Sequence, residues 1–380
     1  MVNSNADAMG IIFPNSYDSL VPELVSVRLM ASIPFASRYR LIDFMLSGMV
    51  NSGIGNISIL VRNNYHSLMD HLGSGREWDL ARKNGGLNIF PPYSDKNVKV
   101  YNGRVDALAS ILGFLRGCKE KFVIMCDTNK AVNFDFKALI DAHVESGADV
   151  TVVYNEAEIP KKFLENHGTN TEMYYTFSLE GDKVRKIYLN SEKPGVQNLS
   201  MNIYIIEREL LIDKVNTAFV HGLPYFERDI LAAQLDKLDV RAFRYDGYVA
   251  RIADMQSYFN ENMRLLDDEN LDALFSGNPI YTKIRDDNPT RYMEGSKVSN
   301  VMAADGCVIE GEVENSILFR GVKVGKGAKV TNCVLMQDTC VGPGAVLDYV
   351  VSDKNVTISE GKEIKGNDTF PVFIAKRQKV

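Results

Sequence analysis

The sequence predicts an α/β domain with a mixed, mainly parallel sheet, followed by a left-handed parallel β-helix. Three observations carry that expectation. Ile11-Ile12-Phe13 is a short apolar run followed by a polar loop and the helix-like stretch IPFASRYRLIDFMLSGMVNSG, the strand–loop–helix order of a parallel sheet. Further apolar runs at 57–61, 122–125 and 150–154 alternate with helix-like segments. From Cys307 onward, short apolar positions recur among Gly, Asn and Asp. There Val324-Gly325-Lys326-Gly327-Ala328 returns 17 positions later as Val341-Gly342-Pro343-Gly344-Ala345. Hexapeptides stacked at roughly 18 residues per coil make such a solenoid, with aliphatics inside and glycines at the tight corners. A polar stretch with Pro279 and Pro289 separates the two parts. The expected division is therefore 8–276, a linker at 277–298, and 299–375.

Taken in order, the loop at 14–21 stands where an α/β protein places a phosphate-binding loop, yet it has no Gly, Lys or Arg and carries Asp18. A strand at 57–61 precedes a helix at 65–73 that stops at Gly73. The Gly/Pro-rich segment 79–97 reads as a surface loop. At 98–115 a turn leads into a helix, with Asp106 near its positive end. The strand at 122–125 ends in Cys126-Asp127, and ligands of open α/β sheets bind at such strand ends. A helix over 137–149 follows. A hairpin turns at Gly181-Asp182 within 174–211, and ERDIL lies in a helix over 226–238.

Composition narrows the function classes. A net charge of −6 and no basic run beyond Lys376-Arg377 argue against nucleic acid as the main partner. No apolar run is long enough to span a bilayer, and the N-terminus lacks a signal pattern, so the expected location is the cytoplasm. The five cysteines form no CxxC pair and read as reduced thiols. His66 and His71 have a spacing that does not suit one helix face and read as structural. A hexapeptide acyltransferase would need a histidine on the β-helix, and the last histidine is His221.

The stretch PFxxxYRLIDFxLSxxVNSGI resembles the bacterial ADP-glucose pyrophosphorylases (glucose-1-phosphate adenylyltransferases). Their first strand ends in a GGxGxRL loop followed by RAKPAVxFGGxYRIIDF. Counting back from the shared block, Asn15-Ser16 fall on the two glycines, Tyr17-Asp18-Ser19-Leu20 on RGxR, and Arg28-Leu29-Met30-Ala31 on RAKP. Spacing is kept and the catalytic residues are lost, a pattern similar to the GlgD-type, degenerate branch of the family. The resemblance covers nearly the whole chain and implies a Rossmann-like sugar nucleotidyltransferase domain before the β-helix.

Residue by residue, the resemblance implies a weakened site. The degenerate loop comprises Asn15, Ser16, Asp18 and Leu20, with Met30 in place of lysine. Arg62 replaces a glutamine used near the nucleotide. Tyr101, Gly103 and Asp106 match YxGTADAV, in which Thr-Ala has become Arg104-Val105. Glu192-Lys193-Pro194 matches the EKP that binds sugar phosphate. Ser200-Met201-Asn202-Ile203-Tyr204 resembles SMGIY. Asp127 matches one Mg²⁺ ligand of the family, and Arg251 falls on the second, a reversal of sign. No bound Mg²⁺ is expected. Instead an Arg251–Asp127 ion pair is expected within about 4 Å, or within reach of a rotamer change. Arg28 and Arg40 match basic residues that bind sugar-phosphate effectors, though Arg40 could equally tie the YRLIDF helix to nearby carboxylates.

Nucleotidyl transfer depends on positioned cations around the phosphates, and each lost contact costs about a few kcal/mol of transition-state stabilisation. The resemblance therefore implies a catalytically impaired regulatory subunit of a tetramer, associated with a catalytic ADP-glucose pyrophosphorylase subunit in glycogen synthesis. The alternative is an active sugar-1-phosphate nucleotidyltransferase with an altered phosphate loop, for which Asp127 and Lys193 speak.

Overall fold

The first apolar run lies inside a nine-stranded sheet, seen in a computed structural model that describes residues 6–92, 101–161 and 173–380. The strands are β1 (Ala8–Phe13), β2 (Asn56–Leu60), β3 (Gly86–Phe90), β4 (Phe122–Asp127), β5 (Val150–Glu158), β6 (Tyr175–Glu180), β7 (Lys183–Leu189), β8 (Val196–Glu207) and β9 (Val240–Arg244). Their order is β3-β2-β1-β4-β8-β5-β9-β7-β6. β1 pairs in parallel with both β2 and β4, and β8 runs antiparallel to β4 and β5. All six residues of β1 are buried. Met9, Ile11 and Phe13 face one helical layer, while Ala8 and Ile12 face the other, the two-residue alternation of a strand covered on both sides.

Helix ends follow local chemistry. In α1 (Leu41–Asn51), Asp43 accepts the Arg40 backbone N–H at 2.9 Å, the N3-to-N-cap half of a capping box. The other Asp43 oxygen meets His71 Nε2 at 2.6 Å in α2 (His66–Leu72), so His71 is structural. In α4 (Phe136–Ser146), which follows α3 (Arg104–Ala109), Asp135 accepts from two first-turn N–H groups and Gly147 ends the helix at φ 62°.

Three sequence expectations are corrected here. Residues 86–90, read as part of a surface loop, form β3, whose Leu87 and Ile89 pack against the core. The helix expected over 226–238 is an i→i+5 turn at Phe226–Leu231 and a 3₁₀ turn at Ala232–Gln234. The linker ends earlier than 298, because Arg291–Tyr292 and Lys297–Ala303 already pair in the first coil of the solenoid.

The C-terminal part is a parallel β-helix with a coil of 17 residues, one fewer than the generic repeat. Lys329 pairs with Val346 and Val346 with Glu363, while Lys323, Cys340 and Thr357 form a second ladder. Three corner ladders keep the same spacing in left-handed backbone: Gly327, Gly344 and Gly361; Gly321, Asp338 and Asn355; Asn315, Asn332 and Tyr349. Ile309, Val324, Val341 and Ile358 stack inside. The two parts share an apolar cluster in which Leu20, Met30, Phe44 and Tyr258 meet Ile317, Phe319, Val334 and Met336. Arg28 and Asp353, each 2% exposed, join across this junction through bonds of 2.6 and 2.9 Å.

Candidate functional site

The carboxyl ends of β1, β2 and β4 open into a cleft of ≈490 Å³ containing Phe13, Leu60 and Asp127. Asn15, Ser16, Tyr17, Tyr101 and Gly103 also line it. This is the position expected for a ligand site in an open α/β sheet. Its charge arrangement is unlike that of a phosphate cradle.

Asp127 is fully buried, and both of its oxygens are engaged. Ser16 Oγ donates to Oδ1 at 2.7 Å, and Arg104 Nη2 donates to Oδ2 at 2.5 Å. Arg104 Nη1 pairs with Glu227 Oε1. The guanidinium lies between the rings of Phe13 and Tyr204, at 5.0 and 5.5 Å from their centroids. Burial alone would lower the Arg104 pKa, but Asp127 and Glu227 together raise it well above the usual arginine range. Burial conversely pushes Glu227 up, against the pull of Arg104. The i→i+5 turn brings Glu227 to this point, and such turns recur at functional sites.

The loop from 14 to 21 is satisfied by its own side chains. Asn15 Nδ2 donates to Asp18 at 2.8 Å, its Oδ1 accepts the Arg62 N–H at 2.8 Å, and the Met30 N–H donates to Asp18 at 2.7 Å. Desolvation raises the Asp18 pKa to about 6, even though these donors favour its charged form. Leu20 and Met30, which the resemblance sets against an arginine and a lysine, are buried in the junction between the two parts.

Of the other predicted residues, Tyr101 and Gly103 lie in the cleft. A side chain at Gly103 would meet the Pro224 carbonyl oxygen at 2.1 Å, so glycine is required there by close approach. Asp106 caps its own turn by accepting the Asn102 N–H at 3.0 Å. Glu192 and Lys193 do not line the cleft. The Lys193 ammonium instead sits 4.5 Å from the centroid of the Tyr188 ring. Ser200 is buried beside the bulge at Asn202, where its hydroxyl hydrogen-bonds the Asn202 side chain. Asn202 adopts φ 48°, a left-handed backbone that asparagine tolerates better than most side chains.

The expected direct Arg251–Asp127 pair does not form. Arg251 donates to the Ser200 carbonyl at 3.2 Å and to Asn155 Oδ1 at 2.8 Å. Arg104, not Arg251, neutralises Asp127. The family's Mg²⁺ does not fit this donor set: one carboxylate is occupied on both oxygens, and the second position is a cation. Among the described residues no three His, Cys, Asp or Glu side chains converge on a point that could hold a metal ion.

A second cavity, of ≈250 Å³, lies between the two parts and is strongly cationic. Arg38, Arg40, Lys283, Arg285, Arg320 and Lys354 line it, together with Asp70 and His71. Three of these cations have nearby carboxylates: Arg38 with Asp305, Lys283 with Asp70, and Arg285 with Asp287. The others are bonded to neutral groups or to none. Arg40 donates to Ser67 O at 2.6 Å and to its hydroxyl at 3.0 Å, and Arg320 donates to the Lys283 carbonyl at 3.2 Å. Burial lowers Arg40 to about 10, and lowers Arg320 as well. Arg40 thus belongs to an anion-seeking cavity, while Arg28, the other predicted effector residue, is committed to Asp353.

Sequence reasoning missed Arg104 and Glu227 as partners, and most of this second cavity. Arg320, Gln337 and Lys354 are spaced by the 17-residue coil, a signal that would have stacked them on one face.

Comparison with known proteins decides the family. The chain matches the nucleotidyl transferase family over residues 26–262 and the GlmU-like, C-terminal hexapeptide family over 284–370. It is 33% identical over 374 residues to the glycogen biosynthesis protein GlgD of Bacillus subtilis, covering 98% of this chain and 96% of that one. It belongs to the GlgD and glucose-1-phosphate adenylyltransferase family. GlgD of Geobacillus stearothermophilus is 36% identical over 333 residues, covering 86% of this chain and 83% of the relative. The glucose-1-phosphate adenylyltransferase of Bacillus cytotoxicus is 31% identical over 358 residues, covering 91% and 92%. Within the described residues of this family member, no helix is long and apolar enough to cross a membrane.

Proposed function

We propose that the chain is a catalytically impaired, regulatory member of its family. In this reading it acts in glycogen biosynthesis by associating with a catalytic glucose-1-phosphate adenylyltransferase in the cytoplasm and raising its output of ADP-glucose. The observation that carries the reading is the Asp127 carboxylate, held on one side by Ser16 and on the other by Arg104. A carboxylate so engaged is already neutralised by a guanidinium that would repel a metal cation, and the adjoining loop offers no glycine or basic residue to a triphosphate. The chain's residues would then serve assembly and regulation. The cavity at the junction suits a phosphorylated sugar, since Arg40 and Arg320 line it and their guanidinium groups bond backbone carbonyls or a hydroxyl rather than a carboxylate.

The test uses the purified chain alone and together with its catalytic partner, supplied with ATP, glucose 1-phosphate and Mg²⁺. Negligible ADP-glucose from the chain alone, and a raised maximal rate or altered effector response of the mixture, is the expected result. Turnover comparable with that of the catalytic subunit, or failure to associate, overturns the proposal.

A further inference from the structure

Lys354 is the least compensated cation in the junction cavity. Its own neighbour Asp353 turns both carboxylate oxygens to Arg28, at 2.6 and 2.9 Å, and Oδ1 also accepts the Lys354 backbone N–H at 2.6 Å. The amine is left facing positive charge. Arg28 and Lys376 lie near it with Asp353, Arg40 comes from the segment before α1, and Arg320 stacks two coils below on the same face of the β-helix. His71 and Asp70 come from α2, but Asp43 holds His71 and Lys283 holds Asp70. Arg38, Lys283 and Arg285 complete the wall.

We propose that anion binding in this cavity is coupled to proton uptake by Lys354, so that the site senses pH as well as its ligand. The proposal rests on the effector reading of the cavity given above. An ammonium in such surroundings is disfavoured by desolvation and by its cationic neighbours. These lower the Lys354 pKa to about 6, with burial the larger cause and Arg40 and Arg28 next. At neutral pH the amine is then mostly unprotonated. A bound anion reverses the balance by supplying the negative charge that Asp353 withholds. The ligand recruits a proton to the amine, and the ammonium in turn becomes a donor to the ligand. The sign follows by linkage: affinity is highest near pH 6 and falls as pH rises, by up to about tenfold per unit, until the bound-state pKa is passed. Arginine side chains in general do not titrate in this range, so they contribute no slope.

Sulfate is the suitable probe because its own charge is constant between pH 6 and 8, whereas a phosphate monoester titrates there. Calorimetry of sulfate binding to the full chain at pH 7.5, in two buffers of different ionisation enthalpy, should show uptake of about half to one proton. Between pH 6 and 8 the affinity should fall by about 10- to 100-fold. Lys354→Arg should bind at both pH values with a flat profile. Lys354→Met should bind more weakly at pH 6 and also lose the slope. His71→Gln should keep the slope above pH 7, which separates the lysine from the histidine. Sulfate binding without proton uptake, or an undiminished slope in Lys354→Arg, overturns the coupling while leaving the effector site standing. Absence of sulfate binding at pH 6 overturns both.

Discussion

Replacing Arg28 with leucine leaves Asp353 buried and deprived of its guanidinium partner. The pair is 2% exposed on each side and is held by two hydrogen bonds from one nitrogen, so solvent screening offers little relief. Removing one member of a buried ion pair costs about 3–5 kcal/mol, most of it the desolvated charge left behind. The Asp353 carboxylate retains the Lys354 N–H at 2.6 Å, and the nearby Lys354 amine can take a proton, which places the expected loss at about 3 kcal/mol. With an m-value of roughly 3 kcal/mol/M or more for a chain of this size, the urea midpoint should fall by up to about 1 M. The loss should be concentrated in the transition that separates the β-helix from the α/β domain, if the two unfold in distinct steps. The double variant Arg28→Leu, Asp353→Leu should recover most of the stability, because an apolar pair of similar volume has no desolvation term to offset. Urea titrations of the wild type and the three variants form a complete double-mutant cycle. A loss below about 1 kcal/mol for Arg28→Leu, or a double variant no more stable than either single one, would refute the reasoning.

Other perturbations test the cleft. Arg104→Thr uncovers Asp127 and Glu227 together and should create Mn²⁺ binding at least about tenfold tighter than in the wild type, read by electron paramagnetic resonance; equal binding would mean the two carboxylates do not converge once the guanidinium is gone. Arg251→Asp alone should yield no ADP-glucose, because Arg104 still covers Asp127 and the loop still lacks basic residues; measurable turnover from this single change would sink the account. Asp18 has a folded pKa of about 6 against 3.8 for an ordinary aspartate, raised chiefly by desolvation, so its contribution is present below pH 3.8 and is lost as pH rises through 6. Asp18→Asn should therefore stabilise the chain at pH 8 by on the order of 1–2 kcal/mol after discounting for partial exposure, with no gain at pH 4; a loss at pH 8 would show that the hydrogen bonds from Asn15 and Met30 outweigh the burial of charge.

Much of the architecture was legible because it rests on periodicity. The buried run of β1, the Gly181-Asp182 turn and the repeated Val-Gly-x-Gly-Ala units each carry a local signal. β3 was missed because its Leu87, Ile89 and Phe90 stand in a stretch rich in Gly, Pro and polar side chains. The cleft was partly legible: the resemblance pointed to Asp127, Tyr101 and Gly103, which line it. It could not show that Arg104 reaches Asp127, since that depends on Glu227, which is far along the chain and delivered by an irregular turn. Arg251 was aligned to a position, but an aligned position does not fix where a long side chain points. Its guanidinium found the Ser200 carbonyl and Asn155 instead. The burial of Arg28 likewise depends on Asp353, which belongs to the other part of the molecule.

The burial of Leu20 and Met30 has a consequence for descent. Both side chains now belong to the apolar seam that joins the β-helix to the sheet domain, with Leu20 2% exposed and Met30 fully enclosed. Restoring lysine at Met30 would place an ammonium among hydrocarbon groups, at a cost of several kcal/mol unless the seam rearranged with it. Restoring arginine at Leu20 meets the same obstacle. Each such basic substitution is therefore expected to lower stability. In the reading proposed above, loss of the site would act as a ratchet: with these positions holding the two halves together, selection for folding opposes their replacement by basic residues.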